Sequence, residues 1–407
     1  MDKLQLKQQY HLKTNKLSTF KCHMCGDQIP LRKSMSDDII THTEMCLLAL
    51  KRYTTDSQSS SSVDALFYKL WRNHYIRGQI VRTLYPLPMC YVHHEGTLEP
   101  DTIPQHFQNI FLGISCSFPI SPLSIPSRVT KLVFSVDFDY ALDGCIPSSV
   151  THLAFNRRYI HPIGSKVIPK SVTHLVLPFK LDTQITVIPN GITNLVFNLD
   201  FNQKFQPGFI PNSVKKLYFG KSFNQPLIKG CIPKSVVKLH LGQNFKQDLK
   251  GGVIPESVEH LTLSSFYNKS LGPGVLPVYL KYLDVGNHYI KPVKQGDIPN
   301  GVLTLKIAGN IQKGSIPNSV TSLHIYPQTK IEVGAIPSNV KTLFYGSNVL
   351  PEHLIPASVQ EVHFQNHQII SRITEQSIPK SVKHITFSRF EDYEKLFRGE
   401  LYLYYFD

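Results

Sequence analysis

The stretch between Phe209 and Asn300 leaves this chain few folds to choose from. It reads FIPNSVKKLYFGKSFNQPLIKG, CIPKSVVKLHLGQNFKQDLKGG, VIPESVEHLTLSSFYNKSLGPG and VLPVYLKYLDVGNHYIKPVKQG, four phrases of 22 residues that each open on an Ile-Pro or Leu-Pro pair. A fixed period of that length means one unit stacked on copies of itself rather than a single globular core. Fourteen such prolines run from Pro104 to Pro379, mostly 20–23 residues apart, with spacings of 18–19 near Pro317 and Pro356.

Counting from each proline, position +3 is apolar (Val129, Val150, Val172, Ile192, Val214). Position +6 is aliphatic (Leu132, Leu153, Leu175, Leu195, Leu217), and position +8 is apolar or aromatic (Phe134, Phe155, Leu177, Phe197, Phe219). The +6/+8 alternation is the period of a strand with one buried face. Proline cannot donate to a β-ladder, so it belongs to the turn that enters the strand. Glycine recurs three residues ahead of the proline (Gly144, Gly208, Gly230, Gly252, Gly274, Gly296, Gly314, Gly334), where a tight turn needs a positive φ. Each unit is then a short strand, a turn, a non-strand return and a second turn. The expected fold is a repeat solenoid, a leucine-rich-repeat-like horseshoe with one parallel sheet of about 14 strands roughly 4.8 Å apart.

The repeat can be written I-P-x-S-V-x-x-L-x-F-G-x-x-F-N-Q-x-L-x-x-G. Ile210-Pro211 with Phe223-Asn224-Gln225, and Phe201-Asn202-Gln203 in the unit before, match it closely. This pattern resembles the FNIP repeat over residues of about 103–388. The resemblance implies a solenoid related in form to leucine-rich repeats, with strands on the concave side and no enzymatic activity. The segment LFYKLWRNHYIRGQIVRTL is similar to a Phe-x-x-x-Trp-Arg-Asn segment that precedes the repeats in that family.

The chain divides into a polar, basic stretch 1–19, expected to be disordered, a finger at 20–53 and a Ser-rich linker at 54–63. A helical N-terminal cap follows at 64–100, then repeats at 101–388 and a C-terminal cap at 389–407. In the finger, Cys22 and Cys25 form C-x2-C, and His42 and Cys46 form H-x3-C, with 16 residues between the pairs. The second pair shares a face if it lies on a helix. Ser36 is a good N-cap, and Asp37 and Asp38 suit a first helical turn. Four protein ligands leave no open position, so one structural Zn2+ is expected. His23 is an alternative ligand, and a helical hairpin without metal is the alternative reading. The segment also resembles the small ubiquitin-binding zinc fingers, in which an Asp two residues after the His touches ubiquitin; Glu44 holds that position here. In residues 64–100, Leu66, Phe67, Leu70, Trp71 and Tyr75 have helical spacing, which suits either a cap over the open end of the stack or a short docking helix.

The net charge is +14, and most of that excess falls on the repeats and tail. It suits acidic partners or a well-solvated surface. No run of 18 apolar residues occurs, and the N-terminus has no apolar run of signal-peptide length, so an intracellular, cytoplasmic or nuclear, protein is expected. Of the seven cysteines, Cys145 and Cys231 stand two residues before repeat prolines and read as small core residues.

Positions +5 and +7 point away from the core. They carry Lys131, His152, His174, Lys216, Tyr218, Lys238, His240, His260, Tyr282, Asp284, Lys306, His324, Phe344, His363 and His384, seven of the chain's 18 histidines but only four lysines. A nucleic-acid groove usually has denser basic residues and stacking aromatics. The face therefore reads as a surface for a protein partner, with Lys131, His152, His174, Lys216, Tyr218, Lys238, His240, His260 and Tyr282 as contact residues. The alternative is a nucleic-acid-associated protein using the finger and the basic repeats. No phosphate loop, nucleophile elbow or H-E-x-x-H helix occurs, so no enzyme, small-molecule substrate or membrane association is expected.

Overall fold

A computed structural model describes residues 18–21, 28–31, 89–92, 100, 103, 109–112, 119–134, 138–156, 158–163, 166–178, 188–366, 369, 372–374 and 376–387. The chain forms two compact units, Met1–Cys90 and Tyr91–Asp407. In the first unit β1 (Ser18–Lys21) and β2 (Gln28–Leu31) pair antiparallel, with Lys21 opposite Gln28. Cys22 and Cys25 fall in the connection between these strands. They lie outside the described residues, as do His42, Glu44, Cys46 and the expected helices at 36–52 and 64–84.

The second unit is built on one sheet of 15 strands. The end strand is β3 (Met89–Val92), which spans the boundary between the units, and it is followed by β4 (Asn109–Leu112), β5 (Lys131–Phe134), β6 (His152–Ala154), β7 (His174–Leu177) and β8 (Asn194–Phe197). Next come β9 (Lys216–Tyr218), β10 (Lys238–His240), β11 (His260–Thr262) and β12 (Tyr282–Asp284). The series ends with β14 (Thr304–Ile307), β16 (Ser322–Ile325), β18 (Thr342–Tyr345), β19 (Glu361–Phe364) and β20 (His384–Phe387). From β4 to β20 every neighbouring pair is parallel, one strand per repeat proline. Three two-residue strands, β13 (Pro292–Val293), β15 (Asn310–Ile311) and β17 (Lys330–Ile331), form a second parallel sheet on the return segments. Two of them lie in the units that begin at Pro299 and Pro317, where the Phe-Asn phrase is missing. Among the described residues no helix is long and apolar enough to cross a membrane.

Each conserved-looking letter of the repeat has a physical job. The proline carbonyl accepts from the N–H at +3, as from Val150 to Pro147 at 3.1 Å, which closes the turn into the strand. The serine at +2 donates to the carbonyl at +3 of the preceding unit. Ser149, Ser171 and Ser235 each do so at 2.7 Å. Leu at +6 and the residue at +8 are buried, as the iBiB pattern of β5 and β8 shows. The eight glycines at −3 all have positive φ, from 70° at Gly144 to 94° at Gly230, so they fill the left-handed region that a side chain resists. Gly242 is needed for closeness as well: a Cβ there would collide with the Gly220 carbonyl oxygen.

The aromatic at +12 forms a spine behind the sheet. Phe201, Phe223, Phe245 and Tyr267 are all 0% exposed. Their rings stack at 5.8, 6.0 and 6.4 Å between centroids. The next residue, Asn at +13, ties units together from outside. Asn202 Oδ1 accepts from the Asn224 N–H at 2.9 Å, and Asn224 Oδ1 accepts from the Lys246 N–H at 2.8 Å. Gln225 and Gln247 donate back to Asn202 and Asn224. Phe-Asn-Gln is thus one buried contact followed by a surface clasp. Cys145 and Cys231 are buried free thiols, as a core reading requires, and the Cys145 Sγ donates to the Ile120 carbonyl at 3.1 Å.

Candidate functional site: the outward face of the sheet

Parallel pairing without slippage turns positions +5 and +7 into two straight columns. The +5 column runs Lys131, His152, His174, Asn194, Lys216, Lys238, His260, Tyr282 and Thr304, each residue registered against the next. The +7 column runs Val133, Ala154, Val176, Val196, Tyr218, His240, Thr262, Asp284, Lys306, His324, Phe344, His363 and Thr386 along the same ladder. Of the nine sequence-derived contact residues, His260 is exposed and the other eight are half-buried. All nine lie on this face.

The histidines differ by their surroundings. His152 and His174 stack with ring centroids 4.0 Å apart and planes 15° from parallel. Thr151 Oγ1 lies 2.9 Å from His152 Nδ1 and Thr173 Oγ1 lies 2.9 Å from His174 Nδ1. Each hydroxyl already gives its one hydrogen to a carbonyl of the preceding unit, Thr130 and Thr151 respectively. With the hydroxyl hydrogen on that carbonyl, the ring nitrogen is the donor and the ring is the Nδ1–H tautomer. Burial, then the neighbouring His174 and Lys131, lower the His152 pKa to about 4. Burial, Lys216 and Lys131 lower that of His174. Both rings are neutral at pH 7. His240 is also held at about 4, by burial and Lys238. His260 is lowered too, by burial first and Lys238 next. Among the described residues, no group of three or more His, Cys, Asp or Glu side chains could hold a metal ion.

Ala154 and Val176 of the +7 column are 6% and 5% exposed, and further along two polar residues of the expected outward face are buried. Asp284 is 5% exposed and His324 9% exposed. The reason is position +9, which is glycine in Gly220, Gly242 and Gly286 but tyrosine at 326 and glutamine at 365. The Tyr326 hydroxyl donates to both Asp284 carboxylate oxygens at 3.0 and 3.1 Å, and the Gly286 N–H donates to Oδ1 at 2.9 Å. His324 Nε2 donates to Gln365 Oε1 at 3.0 Å. Burial raises the Asp284 pKa against the opposing pull of Lys306, and burial lowers His324 to about 4. Beyond them Phe344 is sandwiched between His324 at 5.6 Å and His363 at 4.4 Å. Tyr326 and Gln365 were not among the sequence-derived residues; an oversized side chain at a glycine position was the signal for them.

The FNIP Repeat model matches residues 138–180, 183–222, 223–266, 267–310 and 309–348, together just over half of the chain. Among solved structures the chain is similar to CroV588, described as a novel circular LRR protein, at 24% identity and a TM-score of 0.56. That likeness covers 72% of this chain and 51% of CroV588, so the chain spans about half of that protein's length. YopM from Yersinia enterocolitica WA-314 aligns at 16% identity over 76% of this chain and 74% of YopM, with a TM-score of 0.40 that carries no structural argument. A search of curated protein sequences returned no match. The CroV588 likeness concerns the fold alone and agrees with the parallel stack of one strand per turn. With five consecutive matches across the same stack, the chain belongs to the FNIP-repeat family.

Proposed function

We propose that this protein is a non-enzymatic binding scaffold that holds a protein partner on the outward face of its sheet. The observation that carries this reading is the unbroken registry of the +5 and +7 columns, which presents side chains of mixed polar, aromatic and basic character at regular intervals. Stacked repeats contact only their neighbours and so hold a long, stiff surface, the usual way solenoids bind other chains. The contact residues on this reading are Lys131, His152, His174, Lys216, Tyr218, Lys238, His240, His260 and Tyr282.

The N-terminal segment supplies a second contact on the same reading. Cys22 and Cys25 stand between β1 and β2 in the sequence, and their C-x2-C spacing suits the first pair of ligands in a zinc finger. Cys22, Cys25, His42 and Cys46 would hold one structural zinc, and Glu44 would meet ubiquitin. Two contacts on one chain raise avidity without new interface.

The test is affinity capture with the full chain from the cells that express it. A sheet-face variant, Tyr218→Asp with Tyr282→Asp, is compared with a variant of two exposed off-face residues, Ile228→Asp with Ile290→Asp. Proteins lost with the first and kept with the second support the reading. A capture profile that neither changes would refute it. One equivalent of zinc, and saturable binding of labelled ubiquitin that Glu44→Ala weakens, are expected for the finger; a metal-free chain would remove it.

A further inference from the structure

The face is not uniform along the stack. Over β5–β10 the +5 column is Lys131, His152, His174, Asn194, Lys216, Lys238, and the +7 column beside it is Val133, Ala154, Val176, Val196, Tyr218, His240. Neither column holds a carboxylate in this stretch. The first acidic residue in either column is Asp284, which is buried and bonded to Tyr326. One rail is therefore basic or imidazole apart from Asn194. The rail beside it is small and apolar for its first four rungs, of which Val133 and Val196 are half-buried and Ala154 and Val176 form a closed floor at 6% and 5% exposed.

An extended chain laid along the stack between the rails sends alternate side chains to opposite sides. One set would meet the Lys/His rail and the other the Val/Ala rail. Six strands at about 4.8 Å span roughly 24 Å between the outer two, the length of seven or eight extended residues. Resting on the scaffold reading above, we propose that β5–β10 bind an extended protein segment that alternates acidic and small apolar residues, and that the stacked His152–His174 pair takes up a proton as the acidic side chains dock.

The proton follows from the local geometry. In the imidazolium form both ring nitrogens donate, and Nδ1 of each ring has a threonine oxygen 2.9 Å away to receive its hydrogen. Among the described residues, the charged or titratable groups that act on the pair are Lys131 from β5 and Lys216 from β9, together with the two rings themselves; Asn194 of β8 and the threonine hydroxyls are neutral. Without ligand, burial and these cations keep the rings neutral. A carboxylate across the pair reverses the sign of the nearest charge and favours imidazolium. If that returns one ring from about 4 to its ordinary 6.5, affinity gains about ten-fold between pH 7.5 and 5.5.

The probe is a fluorescent nonapeptide alternating glutamate and alanine, titrated into the full chain and read by anisotropy. A lysine–alanine nonapeptide is the control. Expected are saturable binding of the glutamate peptide only, and affinity about ten-fold tighter at pH 5.5 than at 7.5. K131E with K216E should abolish binding, while K229E with K250E, exposed lysines off this face, should keep it. H152Q with H174Q should bring the ratio of the two affinities to about one. Circular dichroism melts establish that each variant is folded, and the wild-type comparisons need no variant. No saturable binding, equal binding of the lysine peptide, or an affinity that pH does not move would overturn the inference. If face-dependent capture of partners persists while the glutamate peptide fails, the scaffold reading stands and this inference falls. If capture is also independent of the face, both fall.

Discussion

Phe223 and Asn224 are adjacent in sequence and both link the same units, yet they should differ several-fold in what they contribute. Phe223 is 0% exposed, and its ring lies 4.1 Å from Phe219, 5.8 Å from Phe201 and 6.0 Å from Phe245. Phe223→Ala opens a cavity in the middle of the spine, and a buried Phe→Ala change costs about 3–5 kcal/mol. Asn224→Ala removes the acceptor of the Lys246 N–H at 2.8 Å and of Gln247 Nε2 at 3.1 Å. It leaves the bond from its own N–H to Asn202, which is a backbone donor. The Lys246 contact is at the surface, where water replaces it, so about 1 kcal/mol is the expected loss. A solenoid opens locally, so the readout is amide exchange of β8–β11 in the full chain. Phe223→Ala should speed exchange there by roughly 10²–10⁴-fold and Asn224→Ala by about five-fold, with β18–β19 unchanged in both. An equal or larger effect of Asn224→Ala would refute the assignment of the buried ring as the principal tie. A uniform effect along the whole chain would refute nearest-neighbour stacking.

Tyr159 occupies the spine position that Phe holds in three later units; it is 1% exposed, and its hydroxyl has no hydrogen-bond partner among the described residues. Burial raises its pKa, and Tyr159→Phe should raise the urea midpoint, by about 1 kcal/mol of stability, since an unsatisfied polar group is removed. The His324 pKa is about 4 in the fold against about 6.5 in the unfolded chain, so between those values the unfolded chain binds more protons. Its contribution is therefore present above pH 6.5 and is lost as pH falls towards 4, to the extent of about 3 kcal/mol. His324→Gln should flatten that part of the stability–pH curve measured by urea unfolding, and an unchanged slope would count against the buried neutral ring.

The solenoid was legible because its physics is periodic. Proline, serine, valine, leucine and phenylalanine each answer to a neighbour one unit away, so a contact repeats in sequence as a letter. The polar cluster of Asp284, Tyr326, His324 and Gln365 was not legible, because its hydrogen bonds skip units: Tyr326 reaches Asp284 two strands away, across β14, and His324 reaches Gln365 across β18. No spacing rule marks such a pair. The tautomers of His152 and His174 were hidden for a related reason, since they depend on where two threonine protons go. The zinc ligands, residues 64–84 of the expected helical cap and the aromatic tail at 389–407 lie outside the described residues, while Met89–Val92, within the same expected cap, is strand β3.

The unit-to-unit ladder has a consequence for how such a chain can change its length. Ser149 reaches Val129, Ser171 reaches Val150 and Asn224 reaches Lys246, each partner exactly one unit distant. Removing or duplicating a whole unit from the 22-residue stretch leaves every remaining group facing a partner of the same kind. Removing one residue strands a serine, an asparagine and a ring at once. Within the 22-residue stretch, whole-unit gains and losses keep every one of these bonds, whereas a change of a few residues has to be absorbed in the return segment, as in the 18-residue unit that begins at Pro299. A chain of this design can lengthen or shorten its binding face in steps of one strand, about 4.8 Å, without redesigning a core.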